Sequence, residues 1–109
     1  MFVIIFYVPK VNVEEVKQAV FNAGAGTIGD YDSCAWQCLG TGQFKPLLGS
    51  QPHIGKLNEI EFVDEFRVEM VCCADNVRAA INALISAHPY EEPAYHILKT
   101  LSIDELPQL

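Results

Sequence analysis

Three groups of residues in this chain have the types and spacing for chemistry. The stretch His88-Pro89-Tyr90-Glu91-Glu92-Pro93 brings an imidazole, a phenol and two carboxylates together, and His53 and Gly55 close a long segment, GTGQFKPLLGSQPHIG, that begins at Gly40. A neutral imidazole with one or two carboxylates is a donor set for a borderline divalent ion such as zinc or copper. With a position left open it also suits a small ligand. Gly24, Gly26 and Gly29 reproduce the G-x-G-x-x-G spacing of a dinucleotide-binding turn. The four cysteines fall as Cys34-x-x-x-Cys38 and Cys72-Cys73. That spacing lacks the paired C-x-x-C knuckles of structural zinc sites and reads as reduced thiols. No nucleophile, base and orienting third group can be assembled, and G-x-S-x-G, H-E-x-x-H and the P-loop lysine are absent. No residue is therefore assigned a catalytic role.

Which of these groups can meet depends on the elements that carry them. Phe2 to Val8 is an apolar, β-branched and aromatic run stopped by Pro9, as in a central strand. Asn12 precedes Val13, Glu15 sits as in a capping box, and Val13, Val16, Val20 and Ala23 recur at helical spacing. This first helix ends at Gly24. The glycine fingerprint thus leaves a helix instead of opening one, and no carboxylate follows at about 20 positions, around Lys45 to Gly49. It reads as a helix exit whose glycines take positive φ.

Cys34 to Leu39 reads as a short second strand with Cys34, Trp36 and Cys38 on one face and the two cysteines as core residues, and Gly40 to Gly55 as a long connection. Glu59 to Cys73 alternates as a long third strand, with Cys72 and Cys73 on opposite faces and a bulge or strand end near Asp64. Asp75 or Asn76 caps a second helix with the stripe Val77, Ala80, Ile81, Leu84 and Ile85. Pro89 ends it near Ala87. Ala94 to Leu101 is the last strand, on which His96 is expected as a hydrogen-bonded structural residue, and Ser102 to Leu109 as a frayed or docked tail.

The order βαββαβ predicts one α+β domain over residues 1–109: an antiparallel four-stranded sheet with both helices on one face, the ferredoxin-like architecture. Its topology puts the Gly40 to Gly55 connection and the His88 to Pro93 turn at one end of the sheet. The glycine fingerprint goes to the other. The turn also has a plainer account, in which Pro89 stops the helix, His88 faces the negative end of its dipole, Tyr90 packs at the core edge and the glutamates are solvated.

A domain of 109 residues buries roughly 65% of its unfolded surface, yet half of this chain is hydrophobic and its mean hydropathy is +0.18. The uncovered sheet face is expected to meet another copy. Seven basic residues oppose fourteen acidic ones, giving a net charge of −7, which argues against nucleic acid as a partner. The longest apolar run, Phe2 to Val8, is far short of the ~20 residues of a membrane span. A cytoplasmic protein without a membrane partner is expected.

The series GAGTIGDYDSC, GTGQFKPLLGSQPHIG, EIEFVDEFRVE and AHPYEEPAY resembles, in order and spacing, the domain inserted in bacterial YqfO proteins of the NGG-interacting-factor-three-like family. The resemblance runs from Met1 to about Thr100. That domain is similar in fold to the PII signalling proteins and to CutA, whose chains also carry an HPY-x-x-P turn like His88 to Pro93. The resemblance implies a homo-oligomer, a trimer before a dimer, with a ligand site between the loop joining strands two and three and the turn before strand four. The leading expectation is a non-enzymatic, regulatory PII/CutA-like protein. It would bind a small ligand through His53, Gly55, His88, Tyr90, Glu91 and Glu92, or a divalent metal ion through His53, His88 and Glu91. The alternatives are a metal-dependent hydrolase related to the long family members, whose paired metals lie in a separate domain that this chain is too short to contain, and a pure protein-interaction module. Asn58 stands where the family pattern has glycine between Gly55 and Glu61, which leaves open how the chain enters strand three.

Overall fold

Alternation along the first strand sends Ile4, Phe6 and Val8 to one side of the sheet, and all three are fully buried. The computed structural model describes residues 1–109 and contains β1 (Phe2–Pro9), α1 (Val13–Asn22), β2 (Trp36–Phe44), β3 (Glu61–Cys72), α2 (Ala74–Ala87) and β4 (Tyr95–Lys99). The sheet order is β2-β3-β1-β4 with every neighbouring pair antiparallel. This is the expected ferredoxin-like α+β fold. In register, Ile4 lies opposite Met70 and Phe6 opposite Val68, and onto this face pack Val13, Val16 and Val20 of α1 with Ala80, Ile81 and Leu84 of α2. Each fully buried Val, Leu or Ile contributes roughly 1.5–3 kcal/mol of transfer free energy. The core is therefore held by one face of the two inner strands and the inner stripes of both helices.

The ends of the helices explain what the glycines do. Gly24 has φ +107°, its N–H donates to the Phe21 carbonyl, and the N–H of Ala25 donates to the Val20 carbonyl. That pair of bonds is a Schellman C-cap, which needs the left-handed conformation glycine adopts without strain. The fingerprint is thus a helix exit, as expected. At the N-termini the expectation fails. Asn12 precedes α1 but makes no side-chain capping bond, and α2 begins earlier than expected, after Cys73 instead of Asp75 or Asn76, also without a side-chain cap. Asn76 instead donates its amide to the Gly24 carbonyl at 3.4 Å, joining the start of α2 to the end of α1.

Strand β2 runs five residues beyond the expected Leu39, so Gly40 to Phe44 belong to the sheet and the connection is residues 45–60. β1 pairs with β3 only from Glu65 to Cys72, whereas β2 follows β3 out to Phe44 opposite Glu61. The outer four residues of each strand form a two-stranded arm beyond the sheet. It stretches the molecule to 53 × 32 × 24 Å and gives a radius of gyration of 15.8 Å, against about 13 Å for a compact chain of this length. Asp64 lies on this arm in unbroken register opposite Thr41, so there is no bulge. The apolar face breaks there because nothing covers it. Asn58, the departure from the family pattern, has φ +61°, the left-handed region that asparagine tolerates better than other non-glycine residues.

The sheet face away from the helices carries Val3, Ile5, Tyr7, Val71 and Leu98, with an Arg67–Glu69 ion pair at 2.9 Å. Trp36 on this face is 58% exposed, and Cys38 beside it is exposed and Cys34 half-buried. The expectation that Cys34 and Cys38 are core residues is corrected: β2 is an edge strand, and no helix covers this side. Cys72 is buried and Cys73 exposed, on opposite faces as expected, and all four thiols are free. β4 is shorter than expected, and His96 is exposed, meeting Tyr7 edge-on at 6.2 Å without a hydrogen bond. No helix is long and apolar enough to cross a membrane.

Truncating Leu84, fully buried between α2 and the sheet, is expected to lower unfolding free energy by about 2–5 kcal/mol. Leu48, 91% exposed, should change it by under about 0.5 kcal/mol when cut to alanine. Urea denaturation of both variants checks this, and equal losses would mean that the core lies elsewhere.

Candidate functional site

Pro89 cannot continue α2, so the chain turns at His88 and returns to the sheet through residues 88–94. His88 is 6% exposed. Its Nε2 lies 2.7 Å from the Tyr7 carbonyl oxygen, and the Tyr90 backbone N–H donates to its Nδ1 at 3.1 Å. A carbonyl only accepts and an N–H only donates, so the pair of bonds is satisfied by a neutral ring protonated on Nε2. A second proton would set two donors against each other at Nδ1. Burial holds the His88 pKa below the usual 6.5, outweighing the bond to Tyr7 that favours the charged form.

This bonding corrects the expected ligand role of His88. Neither ring nitrogen has a lone pair free, and no group of three or more His, Cys, Asp or Glu side chains is placed to hold a metal ion, so His53, His88 and Glu91 are not assembled as a metal site. His88 acts as a pin instead. Together with the Tyr7 N–H, which donates to the Ala94 carbonyl at 3.2 Å, it joins both ends of the turn to one residue of β1.

The pin places Tyr90. Its ring packs against His88 at 4.9 Å, Phe44 at 5.9 Å and His53 at 6.2 Å between centroids. It thereby forms the floor of a cavity of about 250 Å³ between the turn and the base of the arm. Of the residues expected at the site, His53, Tyr90, Glu91 and Glu92 line this cavity. Gly55 does not, and has φ +97° behind Pro46, which does line it. The connection is tied down by the Asn58 N–H donating to the Pro46 carbonyl at 2.7 Å and by the Gln51 N–H donating to Glu91 Oε1 at 3.2 Å.

The lining residues that were not expected include Tyr7, Gln43, Phe44 and Glu65. Glu65 packs over Gly42, where the Cβ of any other residue would collide with its carboxylate. Burial raises the Glu65 pKa. The Tyr90 pKa is raised too, first by burial and then by the Glu65 charge. The Tyr90 hydroxyl is buried and has no hydrogen-bond partner. The cavity thus presents aromatic walls and a partly buried carboxylate.

The chain was compared with known proteins. No protein-family model matches it. It is 52% identical over 91 residues to the "GTP cyclohydrolase 1 type 2 homolog" of Bacillus subtilis (strain 168), a match that covers 84% of this chain and 24% of that protein. The chain belongs to the NIF3/YqfO family. It spans about a quarter of the length of the relatives it matches. A Bacillus cereus protein related to NIF3 superposes with a TM-score of 0.76 at 38% identity, over 89% of this chain and 24% of that one. CutA from Xylella fastidiosa shares the fold, with a TM-score of 0.67 at 19% identity over 95% of this chain and 88% of that one. The matched part of the NIF3/YqfO proteins is thus a CutA-like unit, and the cavity lies within it.

Replacing His88 with alanine is expected to orphan the Tyr7 carbonyl and the Tyr90 N–H, costing about 1–3 kcal/mol for each. The unfolded imidazole takes a proton near 6.5 while the folded one resists it. The unfolded state therefore binds more protons below that pH, and this contribution to stability, complete above it, is lost as pH falls through about 6.5. The wild-type minus His88→Ala difference in unfolding free energy should shrink between about pH 6.5 and pH 5. A difference that grows on acidification would mean His88 is charged in the fold.

Proposed function

We propose that the chain is a non-enzymatic, small-ligand-binding unit of the NIF3/YqfO family with a regulatory role of the PII/CutA kind. The observation that carries this reading is the cavity of about 250 Å³ between the turn and the base of the arm, walled by the rings of Tyr7, Phe44 and Tyr90. The lining comes from two elements far apart in sequence, the turn carrying Tyr90, Glu91 and Glu92 and the arm carrying Gln43, Phe44 and His53. Occupancy would therefore be felt by both. The four free thiols fit a reducing compartment, the cytoplasm.

The uncovered sheet face supports self-association alongside ligand binding. Leu98 and Trp36 are 52% and 58% exposed there, beside Val3 and Val71, and this continuous apolar surface suits a second copy of the chain. A trimer is favoured over a dimer by the resemblance to CutA and PII proteins.

Three measurements test these readings. In an NMR screen of small polar fragments, binders should shift the amides of Phe44, His53 and Tyr90, while Ala94→Phe, which fills the cavity, abolishes the shifts. Perturbation centred on Gly24 to Gly29 instead would return the fingerprint to consideration. Incubation with GTP and divalent metal ions should give no turnover, and turnover lost in His53→Ala would favour the hydrolase alternative. Sedimentation velocity should find an oligomer at about micromolar concentration that Leu98→Lys dissociates. A wild-type monomer would remove the self-association reading.

A further inference from the structure

The cavity's chemistry is one-sided. Its lining carries three carboxyl groups, Glu65, Glu91 and Glu92, with no lysine or arginine. Glu91 and Glu92 are exposed, so solvent screens them. Glu65 is half-buried, and the one basic residue of its strand, Arg67, is turned to Glu69 at 2.9 Å. The only other ion pair in the chain joins Lys17 to Glu14. A partly desolvated carboxylate thus stands without a cation beside a phenol without a hydrogen bond. The walls around them are the rings of Tyr7, Phe44 and Tyr90.

We infer that the cavity takes a small organic cation, an amine or quaternary ammonium with an apolar body, held between Glu65 and the rings of Phe44 and Tyr90. This rests on the proposed ligand-binding role and names the ligand's class. Three alternatives fit less well. A phosphate or nucleotide would bring negative charge to three carboxyls with no lysine or arginine to meet it. A bare divalent ion needs several hard or imidazole donors converging, and no such group exists. A neutral apolar body would leave the Glu65 carboxylate unpaired and further dehydrated. An organic cation stacks on the aromatic faces and pairs with Glu65. The cavity of about 250 Å³ suits an amine of metabolite size.

The class is tested by titrating the full chain, followed by NMR and calorimetry, with choline, benzylamine and agmatine. The controls are 3,3-dimethylbutan-1-ol, the uncharged isostere of choline, and the anions benzoate, inorganic phosphate and ADP. The cations should shift Phe44, Glu65 and Tyr90 resonances and bind at least roughly tenfold more tightly than the isostere or any anion. Glu65→Gln, which keeps shape and removes charge, should weaken cation binding roughly tenfold or more and leave the isostere unaffected. Phe44→Leu, which removes one aromatic face and no charge, should weaken all three cations and leave the anions unaffected. Binding of the isostere or an anion at the same residues as tightly as the cations would overturn the cation assignment and leave the ligand-binding role standing. If no probe of any charge perturbs the cavity of the folded chain, both fall.

Discussion

The site depends on one residue's backbone at the end of β1. Tyr7 sits one residue past the last β1–β4 pair, Phe6 with Tyr95, where its N–H and carbonyl would have no strand partner on that side. The turn supplies both, Ala94 accepting from its N–H and His88 bonding its carbonyl. Because a buried carbonyl left unpaired costs about 1–3 kcal/mol, the turn cannot shift without breaking the sheet edge. The second nitrogen of His88 then fixes Tyr90 through its backbone, and the cavity floor is set. A histidine is well suited to this place, since its neutral ring donates at one edge and accepts at the other.

Electrostatics follow from that geometry. With the phenol fixed, Glu65 on the neighbouring strand is brought under the same cover: burial raises the pKa of both groups, and the Glu65 charge raises that of Tyr90 further. Two groups perturbed by burial in one cleft are a mark of a functional site, although structural groups do the same. Here the structural account is weak. Neither group has a partner that would repay its burial, whereas His88, equally central, has both of its bonds made.

Much of the fold was legible because periodicity reports burial directly. Val13, Val16 and Val20 against Ala80, Ile81 and Leu84 are stripes with a single interpretation, and the helix exit at Gly24 follows from glycine chemistry. The errors share a cause. β2 looks like a loop beyond Leu39 because Gly40, Thr41 and Gly42 lack β-propensity and no apolar alternation marks an arm with neither face buried. Glycine within a strand is itself a sign of close approach, and at Gly42 it makes room for Glu65. The convergence of the turn and the connection at one end of the sheet was legible from topology, and a cavity lies between them. The role of His88 was not, because ligand and pin use the same residue type in the same turn, and only the positions of Tyr7 and Tyr90 distinguish them.

The two walls of the cavity differ in how firmly they are held. The turn is fixed to β1 by backbone bonds and a buried imidazole, while the arm beyond Glu65 pairs only with itself and carries exposed Phe62 and Ile60. Segments with few buried apolar contacts open at low free energy, so the arm is the softer wall. A ligand touching Phe44 and Tyr90 together would draw the soft wall onto the rigid one and spend part of its binding energy in ordering the arm. In relatives about four times as long, that arm is the part of this unit with the greatest reach. On the proposed ligand-binding reading, a change in the order of the arm is the form in which occupancy of a small cavity would be felt beyond it.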